Sequence, residues 1–129
     1  MILDTSALIA IVAGEPDAEL YIRAISRAKN CRISAANFVE LGLVIENQFG
    51  VEVSQQCDAL FLRAGVVIEP VTVEQAHMAR QASRDFGKGR YPAGLNFGDC
   101  FAYALAKSMN EPLLFKGEDF KKTDVARAQ

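Results

Sequence analysis

A chain of 129 residues, 50% of them hydrophobic, has the size and apolar content of one domain with one substantial core. Its 14 Lys and Arg stand against 16 Asp and Glu, a net charge of −2, which excludes nucleic-acid binding by a global basic field. No apolar stretch approaches the ~18 residues needed to cross a bilayer, and no basic segment followed by an apolar one opens the chain, so a soluble, cytoplasmic protein is expected.

Met1-Ile2-Leu3 reads as a short buried strand, and Asp4-Thr5-Ser6 supplies side-chain acceptors that can cap the helix suggested by residues 7–12. Asp4 then stands at the carboxyl end of a strand, where open α/β sheets bind ligands, although a capping acid needs no further role. Gly14-Glu15-Pro16-Asp17 is a turn leading into a half-exposed helix over 18–29, with Arg23, Arg27 and Lys29 on its solvated face.

Residues 31–34 form a second strand, and Ser34 is placed to cap a helix over 35–49 that ends at Gly50. Glu40 on that helix lies among Val39, Leu41, Leu43 and Val44. A carboxylate buried there needs a cation, a hydrogen-bonding network or a shared metal, whereas one at the helix edge reaches solvent. A further helix follows over 53–65, then a β-branched strand over 66–71 stopped by proline. Thr72 and Gln75 form a capping-box pattern for a helix running to Phe86, and His77 within it is assigned no role.

The stretch 88–95 is a loop rich in Gly and Pro, in which Lys88, Arg90 and Tyr91 suit phosphate contact and base stacking, or simply a solvated connector. Asn96 precedes a helix that is apolar almost all round and therefore buried, with Asp99 as its acid in the first turn, where the helix dipole favours negative charge. Residues 112–116 form the last strand, followed by Glu118 and Asp119 and then by a surface turn and a tail frayed from Ala126.

This β-α alternation predicts a three-layer α/β/α sandwich with a short, mostly parallel central sheet, a single domain over 1–129. Three widely spaced cysteines without a Cys-x-x-Cys pair, and one histidine, offer neither a disulfide framework nor a zinc site nor a Ser-His-Asp triad. Chemistry therefore falls to carboxylates. Asp4, Glu40, Asp99 and Asp119 gather at or near the carboxyl edge of the sheet, and such a cluster would repel itself unless a divalent cation were shared. Oxygen ligands favour Mg2+ or Mn2+, and that chemistry suits phosphodiester hydrolysis.

Four segments, Ile2-Leu3-Asp4-Thr5-Ser6-Ala7-Leu8, the helix carrying Glu40, Leu95-Asn96-Phe97-Gly98-Asp99-Cys100, and Leu113-Leu114-Phe115-Lys116-Gly117-Glu118-Asp119-Phe120, together resemble the PIN-domain ribonucleases, and among them the VapC toxins of toxin-antitoxin pairs. The resemblance covers nearly the whole chain, in order. It implies a PIN-like endoribonuclease toxin using Mg2+ or Mn2+, an RNA substrate with tRNA as the expected class, a VapB-type antitoxin partner, a homodimer and no membrane contact. It also implies that Asp4 and Asp99 hold the metal, that Glu40 helps or positions the water, and that Ser6 orients Asp4. Asp119 is the candidate for the fourth acid, yet many relatives carry an acid or Asn two places earlier, at Gly117 here, so Glu118, a water or no residue are alternatives. The antitoxin is expected as a helix in a groove lined by Ile11, Val12, Leu20 and Ile25.

Three other readings compete. An aspartyl-phosphate phosphatase would carry a second Asp where this chain has Ser6, and a receiver domain would need an acidic pair that is missing. A catalytically inactive PIN-like RNA-binding or interaction module would keep the scaffold without the chemistry.

Overall fold

A computed structural model describes residues 1–89 and 92–129. The elements run β1 (Ile2–Leu3), α1 (Thr5–Val12), α2 (Ala18–Arg27), β2 (Arg32–Ser34), α3 (Ala35–Phe49), α4 (Val51–Ala64), β3 (Val67–Glu69), α5 (Val73–Phe86), α6 (Phe97–Met109) and β4 (Leu113–Leu114). The strands form one sheet in the order β3-β2-β1-β4, each neighbouring pair parallel. Successive connections lead from β1 to β2 and β3 on one side, and the chain then returns to place β4 on the other. The order thus reverses between β1 and β4, the kind of crevice in which open α/β sheets bind ligands.

Alternation along the strands builds the layers, because adjacent residues of a strand face opposite sides of the sheet. Ile2 and Leu113 join Ala79, Ala82 and the buried face of α6 in one core, with Phe115 and Phe120. Leu3, Ile33 and Leu114 join Leu8, Tyr21, Leu41, Ile45 and Phe61 in the other. The sheet is therefore buried on both faces, helices α1–α4 on one side and α5–α6 on the other. This is the expected α/β/α sandwich.

Local chemistry sets the helix starts. Asp4 caps α1 by accepting from the Ser6 N–H, Ser34 caps α3 through the Ala36 N–H, and the Thr72 side chain accepts from the Gln75 N–H of α5. At α6 the arrangement is a full capping box: Asn96 accepts from the Asp99 N–H while the Asp99 carboxylate accepts from the Asn96 N–H. Helix α4 starts at Val51, two residues before the expected 53, because Gly50 at φ 92° turns the chain directly out of α3.

The tail from Ala126 is not frayed. Leu113 donates to the Ala126 carbonyl at 2.8 Å and accepts from the Ala128 N–H at 2.9 Å, so the chain end runs parallel along the free edge of β4. The Tyr103 hydroxyl donates to Asp124 at 2.6 Å, and the Arg127 guanidinium lies 5.1 Å from the Phe115 ring centre. His77 is exposed and all three cysteines are buried. Among the described residues no helix is long and apolar enough to cross a membrane.

Candidate active site

Asp4 follows β1 directly and is only 2% exposed. Its Oδ2 accepts from the Ser6 N–H at 3.0 Å and from the Ser6 hydroxyl, which in turn accepts from the Lys116 N–H at 3.0 Å. The ends of β1 and β4 are thus tied through one hydroxyl. Among the described residues Asp4 Oδ1 is buried without a partner. Burial pushes the Asp4 carboxyl up to about 6, the Ser6 hydrogen bonds pull the other way, and the charge of Glu40 adds to the rise.

Asp99 sits in the first turn of α6, half-buried, with Oδ2 committed to the Asn96 N–H at 3.0 Å. Its carboxyl is pushed up to about 7, by burial first and then by the charge of Asp4, with Asp119 and Glu40 contributing. Each of the four predicted acids therefore enters this electrostatic neighbourhood. Asp119 is exposed in the turn after β4. Its neighbour Glu118 points elsewhere: it pairs with Lys121 at 2.6 Å, which holds its carboxyl below the usual range.

Glu40 lies in the second turn of α3, half-buried. Its Oε1 accepts from the Thr5 hydroxyl at 2.6 Å and from Asn37 Nδ2 at 3.4 Å. The same Nδ2 donates to the Gly98 carbonyl at 2.9 Å. A β-carbon at Gly98 would stand 2.0 Å from Glu40 Oε2, so any side chain there would push the Glu40 carboxylate from its place. Thr5, Asn37 and Gly98 were not expected from the sequence to take part. Thr5 reads as a helix-start residue, and Asn37 and Gly98 are 61 positions apart, so only the packing of α3 on α6 brings them together.

The candidate RNA contacts are only partly placed. Lys88 is exposed and lines a cleft of about 580 Å³ between α5 and α6, beside Arg80, Ser83, Phe97 and Phe101. Arg90 and Tyr91 lie outside the described residues. Phe97, immediately before Gly98-Asp99, is 82% exposed, and Val39 and Leu43 on α3 are exposed as well.

A second groove of about 230 Å³ runs between α1, α2 and α4, lined by Ile11, Val12, Ile22, Ile25, Leu60 and Phe61 among others. Leu20 is not part of it. It turns to a different cleft, beside Met1, Arg23 and Pro112, because the face of α2 that carries Ile22 and Ile25 is the one directed at α4.

The acid cluster suits an open cation site better than a closed cage. Among the described residues no three His, Cys, Asp or Glu side chains stand close enough to enclose a metal. A hard cation such as Mg2+ keeps several waters and takes one or two carboxylates, and a buried, unpartnered Asp4 Oδ1 beside a charge-strained Asp99 fits that description. The charges that shift Asp4 and Asp99 are carboxylates, so a cation would relieve both.

Comparison with known proteins identifies the family and the fold. The PIN domain family model matches residues 1–126. Ribonuclease VapC28 of Mycobacterium tuberculosis is 51% identical over 129 residues, covering 99% of this chain and 97% of the relative. Ribonuclease VapC of Mycolicibacterium smegmatis is 50% identical over 126 residues, covering 98% of each. Among solved structures, VapC20 of Mycobacterium tuberculosis, a sarcin-ricin loop cleaving toxin, superposes with a TM-score of 0.79 over 97% of this chain and 95% of that one at 18% identity. VapBC2 of Rickettsia felis, bound to a DNA fragment from its promoter, gives 0.75 over 98% and 94% at 15% identity. The chain belongs to the PIN-domain family. Near-full-length identity of about half to ribonucleases of the VapC type places it, within that family, among the VapC toxins.

Proposed function

We propose that this VapC-type endoribonuclease hydrolyses RNA phosphodiester bonds with a divalent cation, Mg2+ or Mn2+, held by Asp4 and Asp99. The observation that carries this reading is the pairing of a buried Asp4 with a half-buried Asp99, each raised by burial and by neighbouring carboxylates. A cation held there would supply Lewis-acid polarisation of the scissile phosphate and a lowered pKa for the water, so that hydroxide would be available as nucleophile at neutral pH. Asp4 and Asp99 supply oxygens at the crevice between β1 and β4, and Ser6 fixes which oxygen of Asp4 turns inward. Glu40, steadied by Thr5, orients the attacking water or accepts its proton. Asp119 takes the fourth acidic position rather than Glu118, because its charge reaches Asp99 while Glu118 is occupied by Lys121.

Isothermal titration with Mn2+ in the absence of RNA tests the metal site. Wild type should release binding heat that Asp4→Asn lacks, and equal heat from both proteins would reject the assignment.

The partner is a VapB-type antitoxin, as toxin-antitoxin complexes of Klebsiella pneumoniae and Rickettsia felis share this fold. An amphipathic antitoxin helix fits the groove between α1, α2 and α4, where the exposed walls are apolar. The substrate is RNA, with tRNA the expected class, and Lys88, Arg90 and Tyr91 are its proposed contacts at the site mouth. The exposed apolar rim of Val39, Leu43 and Phe97 is the proposed face for a second copy of the chain. Light scattering during gel filtration should give twice the chain mass for wild type and a monomer for Phe97→Asp, and a wild-type monomer at micromolar concentration would count against this pairing.

A further inference from the structure

We infer that Asn37 is a positioning residue for the cleavage reaction, acting through Glu40. This rests on Glu40 belonging to the active site, as proposed above. Asn37 is fully buried one turn before Glu40, and its amide spans two helices: Nδ2 donates to the Gly98 carbonyl at 2.9 Å and reaches Glu40 Oε1 at 3.4 Å. The amide orientation follows from these partners, because both are acceptors and a reversed amide would set oxygen against oxygen.

Three contacts confine the Glu40 carboxylate. Thr5 approaches Oε1 from the first turn of α1, Asn37 holds the same oxygen from within α3, and the bare Cα of Gly98 stops Oε2 from the α6 side. Asn37 alone also grips α6, at the residue immediately before Asp99. It therefore sets the position of Glu40 relative to the helix end that carries the other acid. Among the described residues its Oδ1 is buried with no partner, so the two bonds from Nδ2 are what offset the burial of this amide.

The test is a double-mutant cycle in RNA cleavage, using wild type, Asn37→Ala, Glu40→Gln and the double variant, with the thermal melt of each recorded. Groups that orient a ligating or reacting side chain change activity by about 10- to 100-fold when removed. Asn37→Ala should lower kcat by that factor with KM nearly unchanged, and should cause no further loss in the Glu40→Gln background, since the residue through which it acts is already disabled. A crystal structure of Asn37→Ala should show the Glu40 carboxylate displaced from Gly98. Should Asn37→Ala fail to fold, Asn37→Ser, smaller than Asn and still polar, enters the same cycle with the same expectation at a smaller loss. An equal fractional loss in both backgrounds would assign Asn37 to general stability and overturn the inference. Full activity of the Asn37 variants beside a disabled Glu40→Gln would overturn the inference alone. Full activity of Glu40→Gln would overturn both the inference and the place of Glu40 in the site.

Discussion

The carboxylate of Glu40 rests on the Cα of Gly98, so closely that an added β-carbon would fall 2.0 Å from Oε2. A methyl group at this position evicts the far end of a side chain rather than backbone, so the fold should tolerate Gly98→Ala while the carboxylate moves. Displacement of a positioned group by about 1 Å can cost on the order of 100-fold in rate. Gly98→Ala should therefore lose roughly 10- to 100-fold in RNA cleavage while its circular dichroism melt shifts by only a few degrees. Unaltered cleavage would mean that Glu40 is not needed where it stands.

The raised carboxyls of Asp4 and Asp99 make stability depend on pH in a defined direction. Their folded values of about 6 and about 7 lie above the ordinary 3.8, so between these limits the folded protein holds protons that the unfolded chain has released. The stabilisation from these groups is complete below pH ~4 and is lost as pH rises through 6 to 7. The carboxyls held low by partners, Asp17, Glu118 and Asp124, contribute in the opposite sense, and their contribution is lost only as pH falls below the ordinary values of 3.8 for Asp and 4.5 for Glu. Melts of metal-free protein at pH 5 and pH 8 should thus show a loss at the higher pH that Asp4→Asn reduces. Added Mn2+ should raise the melting temperature more at pH 8 than at pH 5, because ligands must be deprotonated to bind. A larger Mn2+ effect at pH 5 would contradict the assignment of these two acids.

Much of this arrangement was legible in the chain because the signals are local. An apolar pair followed by Asp4, a strand followed by the capping Ser34, and an apolar helix opened by Asn96 each state their structure within a few residues. Alternating strands and helices then leave few ways to assemble the sheet, and the acids collect at its carboxyl edge. The confinement of Glu40 was not legible, since Gly98 and Asn37 acquire meaning only when α3 meets α6. Neither was the pairing of residues 126–128 with Leu113, because a strand edge imposes no pattern on the segment that covers it. Leu20 was misplaced for a related reason: α2 exposes both Leu20 and Ile22, and periodicity does not say which of two exposed apolar positions faces a neighbour.

The groove between α1, α2 and α4 can be tested without disturbing the core. Leu60 is 54% exposed and Ile22 is 42% exposed, so an acid at either position remains solvated in the free protein. Leu60→Asp and Ile22→Asp should keep wild-type melting and RNA cleavage while weakening antitoxin binding by at least ~10-fold, as expected for a charge forced into an apolar contact. Surface plasmon resonance against the antitoxin checks this. Unchanged affinity in both variants would move the antitoxin to another face.

The metal-carboxylate reading is tested most directly by RNA cleavage under single-turnover conditions as a function of Mg2+ and Mn2+ concentration, comparing wild type with Asp4→Asn and Asp99→Asn. Both substitutions keep the side-chain shape and remove a charge that burial already opposes, so both proteins should fold with melting temperatures at or above that of metal-free wild type at pH 8. The expected result is saturable, cation-dependent cleavage by wild type, abolished by chelation, and a loss of at least ~1000-fold in each variant. Cleavage by folded Asp4→Asn and Asp99→Asn at the wild-type rate, or wild-type cleavage that persists in chelator, would contradict it.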